Sequence, residues 1–238
     1  MNPAIAVALI AAVGGLLTSA WTLHRQRDSA RELALLQNEL AQAARTEERQ
    51  IAAKEHLDRY REPLLAAADD LRHRIANIRG RSFSVYLQSS DERRRKLALI
   101  STMYRLGKYW AVIDGLYRAV NILRFNTESE TKRVAGLLDE IGRTFASDAI
   151  DGSRLMVWRE EQRAIAELMR PKESADGLAV IGFAAFFEDY PTRLAPWFSD
   201  LAVEFQLDGV EDTERLKKLH DLLDQLVKQL EAGRPYAV

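Results

Sequence analysis

The feature that most constrains this chain is a run without charge. Residues 3–23, PAIAVALIAAVGGLLTSAWTL, are 21 consecutive uncharged positions. Wound as a helix they span about 31 Å, the thickness of a bilayer's hydrocarbon layer. A helix packed on a globular core normally leaves a polar stripe in water, and this run has none. Trp21 lies near its end, where an amphipathic ring suits the lipid–water boundary. A cleaved secretion signal is the rival, since Thr18-Ser19-Ala20 offers the small residues of a cleavage site. Such signals open on a basic segment, however, and Met1-Asn2-Pro3 supplies only the α-amino group. Positive charge follows the run instead, at Arg25, Arg27 and Arg31, and cationic flanks stay in the cytoplasm. The expectation is a single-pass anchor in the inner (plasma) membrane, with the lipid bilayer as partner of residues 3–23 and a cytoplasmic C-terminal domain. Ala4, Ala8, Ala11, Ala12 and Gly15 repeat small residues at a spacing of four, which permits close helix approach in lipid and so a homo-oligomer.

Residues 24–61 contain no proline or glycine and are rich in Ala, Leu, Glu, Gln and Arg, all strong helix formers. They predict a helical stalk of about 57 Å. Leu33, Leu36 and Leu40 open a coiled-coil seam, but the seven-residue count then lands on Ala43, Glu47, Gln50 and Lys54. An eleven-residue count, through Leu33, Leu36, Leu40, Ala44 and Ile51, fits better, so a long two-stranded supercoil is poorly specified.

Pro63 predicts a break after Tyr60-Arg61-Glu62, because proline suits a first helical turn. From residue 62 to 238 the pattern predicts one all-α cytoplasmic domain. Apolar positions 64, 68, 71, 75 and 78 give a helix closed by Gly80. Phe83, Val85 and Leu87 alternate and predict a short strand or extended segment. Helices are expected over about 91–125, 128–146, 157–170 and 196–205, and over 211–232 with Leu216, Leu219, Leu223, Leu226 and Leu230 at heptad spacing. LAVIGFAAFF, residues 178–187, is too short to span a membrane and reads as a fully buried helix. Gly107, Gly115 and Gly136, inside helical patterns, predict close helix packing. YREPLLAAADDLRHRIANI and EEQRAIAELM resemble segments of an uncharacterised family of bacterial helical proteins, often with an N-terminal membrane segment. The likeness covers residues 60–200 and brings no catalytic residue with it.

Charge is uneven although the net charge is only −1, which argues against nucleic acid as a partner. Residues 72–108 hold ten basic side chains against two acidic, and residues 188–238 hold eleven acidic against six basic. One outcome is mutual neutralisation across the fold. The other is a basic surface for a nucleotide or lipid head group, with Arg72, Arg74, Arg93, Arg94, Arg95 and Lys96 as its residues. The absence of cysteine removes thiolate metal sites and thiol nucleophiles. No phosphate-binding glycine loop, GxSxG or HExxH string occurs, and neither a metal nor a cofactor is expected. Asp148, Asp151, Glu160, Glu161 and Glu167 offer paired carboxylates that would support hydrolysis if burial separated their pKa values. Two Arg-x4–6-His strings, Arg49…His56 and Arg215…His220, match a motif of helical ribonucleases that arises readily by chance, and Arg215 reads as a solvent-facing residue. The resulting expectation is a membrane-anchored, non-enzymatic helical module for protein interaction or sensing. The alternatives are a receptor for an anionic ligand on residues 72–108 and a hydrolase on residues 148–167.

Overall fold

The computed structural model describes residues 3–119, 129–172 and 179–233. Its described elements are all helical, with no strand among the described residues. The chain divides into two compact units, Met1–Arg49 and Gln50–Val238.

In the first unit the backbone is helical from residue 3 and belongs to α1, Pro3–Arg79. The side chains of residues 3–32 lie outside the described residues, and the expected anchor with them. Among the described residues no helix is long and apolar enough to cross a membrane. Leu33, Leu35, Leu36 and Leu40 are each more than half exposed, so the seam read from the stalk is uncovered in the single chain.

In the second unit the same helix becomes a core element. The break expected at Pro63 does not occur, and proline sits inside α1. An interior proline costs about 3 kcal/mol. Tyr60, Leu64, Leu65, Ala67, Ala68, Leu71, Ile75 and Ile78 are all buried around it, and burying each large apolar side chain returns about 1.5–3 kcal/mol. Packing therefore carries the helix through. Beyond Gly80, the alternating segment forms a single turn of helix, α2 (Ser84–Leu87), in place of the expected strand. Tyr86 and Leu87 both donate backbone bonds to the Phe83 carbonyl, which buries Leu87 and leaves Val85 exposed.

Six further α-helices follow among the described residues of the unit. These are α3 (Glu92–Ala119), α4 (Ser129–Ala146), α5 (Arg159–Leu168), α6 (Phe183–Asp189), α7 (Ala195–Glu204) and α8 (Glu214–Ala232). A π-helical turn, Tyr190–Leu194, joins α6 to α7. The leucine seam of α8 is not a free docking face. Leu216, Leu219, Leu223, Leu226 and Leu230 are buried together with Val134, Leu138, Ile141 and Phe145 of α4, and α4 packs against α8. Residues 178–187 also depart from expectation. The helix begins only at Phe183, with Ala184 and Ala185 exposed and Phe186 buried, so this apolar run supplies one face and not a wholly buried rod. Its aromatics converge with α3 and α7: Tyr104 meets Phe183 and Phe186 edge-on, and Trp110 meets Phe145 edge-on and stacks beside Phe198. These aromatics lie in or against the core.

Candidate functional site

The basic residues singled out in the sequence do not form one surface. Arg72 is bound on both sides, to Asp69 at 2.7 Å and to Asp224 of α8 at 3.3 Å. Arg81 reaches Glu211 and Asp212, each at 3.2 Å. The acidic C-terminal stretch thus neutralises part of the basic one, as opposite charges separated in sequence do when a fold brings them together. Arg74 is buried, with its guanidinium 3.6 Å above the Phe83 ring. Arg93, Arg94 and Lys96 stay exposed at the start of α3. Arg94 pairs with Asp91, the half-buried Arg95 donates to the Ser89 carbonyl at 3.0 Å, and Lys96 lies 5.6 Å from the Phe187 ring. Arg93, Arg94 and the half-exposed Leu97 share a helix face by their spacing, so the cationic part of the predicted site shrinks to the first turns of α3.

Arg74 borders an interior cavity of about 10 Å³ lined by Leu71, Ile75, Leu106, Phe145 and Leu219 among others. That volume admits one water molecule at most. Nη2 donates to Ser101 Oγ at 3.3 Å, and Nη1 has no partner. Burial, reinforced by Arg105, pushes this guanidinium down to about 9, against a smaller upward pull from Asp70.

The acidic cluster does not assemble either. Asp148, Asp151, Glu160 and Glu167 are all exposed, and the half-buried Glu161 accepts the Trp158 backbone N–H at 2.7 Å. Asp151 accepts the backbone N–H of Arg215 at 2.7 Å, and Glu167 pairs with Arg118 at 3.3 Å. Among the described residues no group of three or more His, Asp or Glu side chains is placed to hold a metal ion.

Arg215 corrects the sequence reading most sharply. Expected in solvent, it is fully buried. Its guanidinium donates to six carbonyls: Arg154 at 2.7 Å, Phe145 at 3.1 Å, Ser147 and Gly152 at 2.8 Å, together with Thr144 and Ile150. Two of these, Thr144 and Phe145, belong to the last turn of α4, where helix carbonyls lack intrahelical donors. The loop they open is strained: Asp151, Gly152 and Leu155 all have φ between 54° and 60°, a region that non-glycine residues seldom adopt. Burial pushes the Arg215 guanidinium down, while Asp151 and Glu204 pull it up. No donor of this side chain is left for a ligand, and Arg215…His220 is therefore no nuclease pair. A sign was present in the sequence, since the nearest apolar seam positions, Leu216 and Leu219, place residue 215 at the seam's flank.

One concave surface was missed by sequence reasoning. A solvent-open groove of about 650 Å³ runs between α4 and α8, lined by Lys132, Arg133, Gly136, Arg143, Lys228 and neighbours. Arg143 pairs with Asp139 at 3.1 Å, and Lys228 with Asp224 at 2.6 Å. Lys132 and Arg133 make no ion pair among the described residues. Asp224 is held below the usual carboxylate range chiefly by its hydrogen bond from Lys228; burial opposes this, and the charges of Lys228, Arg72 and His220 lower it further. Gly136 is exposed, and no atom lies within 4 Å of where its Cβ would sit. Close packing therefore does not account for it. It does account for Gly107, whose Cβ would stand 2.9 Å from Met169 Sδ. The groove residues escape a linear reading because four cations spread over 97 residues never form a charge run.

Fold and surface together define an all-α protein whose second unit carries a cationic groove between two helices. No protein-family model matches the chain, and no curated protein or solved structure matches it.

Proposed function

We propose that the chain is a single-pass protein of the inner membrane whose helical cytoplasmic body binds a partner or senses a ligand without catalysing a reaction. The observation that carries this reading is the uncharged run 3–23 followed directly by Arg25, Arg27 and Arg31. A run of that length satisfies its backbone polar groups internally only as a helix, and its flanking charge gives the orientation. The helical assignment of α1 from residue 3 and the resemblance to bacterial helical proteins with N-terminal membrane segments agree with it. The small-residue spacing at 4, 8, 11, 12 and 15 and the exposed Leu33, Leu36 and Leu40 extend the reading to a homo-oligomer.

The test is fractionation of the full chain carrying a C-terminal tag, with alkaline extraction and protease treatment of spheroplasts. A tag that stays in the alkaline-washed membrane and is shielded from external protease is the expected result. Release of a soluble chain beginning near Trp21, or digestion of the tag from outside, would overturn the reading.

A further inference from the structure

We propose that the groove between α4 and α8 is a binding site for a small phosphate-bearing ligand, held chiefly at the end formed by Lys132 and Arg133. The site does not depend on the membrane reading, which only sets the medium of the test: a chain that fractionates as soluble is titrated in buffer and with phosphatidic acid vesicles. The groove replaces residues 72–108 as the place where an anionic ligand binds.

Three observations carry it. The first is shape: a solvent-open groove lies between α4 and α8 with cations on both of its walls, and small-molecule sites are concave surfaces with a few convergent polar groups. The second is charge. Lys132 and Arg133 project into the groove without an ion pair among the described residues, and Lys228 faces them from α8. Guanidinium and ammonium donors together bind phosphate oxygens through short, charge-assisted hydrogen bonds. Gln225 and Gln229, one helical turn apart on the opposite wall, add neutral donors and acceptors suited to the non-phosphate part of such a molecule.

The third observation is Gly136. A glycine within a helix costs about 1 kcal/mol relative to alanine. Here no turn, positive φ or close neighbour requires it. Its missing side chain leaves space open in the groove beside Lys132 and Arg133. Glu140 limits the ligand's size. It lies further along the same wall, tied to Lys218 at 3.3 Å, and interrupts the cations between Arg133 and Arg143. A continuous track for nucleic acid or an acidic protein is thereby broken, and one compact phosphorylated group fits.

The test uses the full chain in phosphatidylcholine nanodiscs, titrated calorimetrically with inorganic pyrophosphate and with ATP. Saturable one-to-one binding that weakens with salt is expected for a soluble ligand. The Lys132→Glu, Arg133→Glu double variant should weaken it by at least about 10-fold, the loss of one charge-assisted contact or more. Gly136→Leu should weaken it comparably with no fall in melting temperature, because the new side chain fills open space. Arg93→Glu with Arg94→Glu should leave it unchanged. A second arm places the chain in discs containing phosphatidic acid and follows acetylation of Lys132 and Lys228 by mass spectrometry. Protection of both lysines there, without pyrophosphate binding, identifies a lipid headgroup as the source of the phosphate. The proposal fails if neither arm shows binding. It fails equally if Gly136→Leu binds like the parent chain, if the Arg93 and Arg94 reversals abolish binding, or if exposed Lys217 is protected as fully as Lys132.

Discussion

Two regions of the second unit bury the same chemical group and treat it in opposite ways. Around Arg215, six carbonyls from the end of α4 and the loop after it converge on one guanidinium. Around Arg74, the wall of α1 and α3 offers one hydroxyl and the face of Phe83, and Nη1 is left without a partner. Burial alone does not decide whether a cation stabilises a fold; the number of acceptors that meet it does. The first region uses a charge to hold a strained loop. The second carries a charge at a cost.

The largest effect expected from this contrast is at Arg215. Arg215→Ala leaves several buried carbonyls without donors, each costing about 1–3 kcal/mol before water relieves some of them. A loss of about 4 kcal/mol in urea unfolding is expected, a large share of the 5–15 kcal/mol typical of a folded protein. Arg215→Lys should recover little, since one ammonium with three donors cannot span the fork that the guanidinium fills. A loss under about 1 kcal/mol for Arg215→Ala, the level of a surface change, would erase the distinction between the two regions.

Arg61 tests the intermediate case. It is buried, pairs with Asp58 and with Glu130 of α4 at 2.9 Å each, and donates to the Leu230 carbonyl of α8 at 3.1 Å. It therefore fastens α1 to both α4 and α8. Arg61→Ala should cost about 2–3 kcal/mol, below Arg215 because its carboxylate partners are partly exposed and rehydrate. A cost equal to or above that of Arg215→Ala would show that carboxylates, and not carbonyl number, set the scale.

How much of this was legible beforehand follows from which interactions are local. The α4 and α8 seams were readable because Val134, Leu138, Ile141 and Phe145, and the leucines from 216 to 230, repeat at helical spacing. Pro63 misled because proline chemistry is local, while the burial of Leu64, Ala67, Ala68 and Leu71 that overrides it is not. Phe83, Val85 and Leu87 alternated like a strand, yet two bonds to the Phe83 carbonyl close a helical turn there. The charged residues were least legible of all. The partners of Arg215 begin 60 or more positions away, Arg72 meets Asp224 across 152, and the groove cations come from two helices, one ending at Ala146 and the other beginning at Glu214. Composition located an excess of arginine in residues 72–108. Only the fold separates those consumed by pairing from Lys132 and Arg133, which are not.

At Arg74 the expected change has the opposite sign. Arg74→Met keeps a flexible side chain of similar reach on the Phe83 ring, with a sulfur–aromatic contact in place of the cation–π one. It also removes a buried charge whose Nη1 is unpaired. A gain of about 1 kcal/mol at pH 7 is expected, because replacing poorly compensated buried charge by apolar volume is neutral or stabilising. The pH profile sharpens this. With the folded-state value lowered to about 9, well below that of the unfolded chain, the penalty is complete below about pH 9 and relaxes as pH rises from there, where the unfolded chain still holds a proton that the folded one has released. Destabilisation by Arg74→Met would place this residue with Arg61 and Arg215.

The smallest effect concerns Tyr109, the neutral counterpart of Arg74 on α3. It is buried and its hydroxyl has no hydrogen-bond partner. Burial raises its phenol well above 10, with Tyr117 adding to the rise and Arg159 opposing it, and burial raises Tyr190 to about 12. Below pH 10 the folded and unfolded chains both hold these protons, so stability does not depend on them. Above pH 10 the unfolded chain releases its phenol protons while the folded chain keeps them, and stability falls as pH rises, for Tyr190 through about pH 12. Arg74 acts in the reverse direction over part of this range, so the measurement belongs in the Arg74→Met background. There, Tyr109→Phe should leave stability at pH 7 within about 0.5 kcal/mol of its parent, since no hydrogen bond is lost. It should also flatten the decline above pH 10. A clear loss at pH 7 would mean that the Tyr109 hydroxyl has an acceptor in solution, which would place it with Arg215 among the satisfied buried groups.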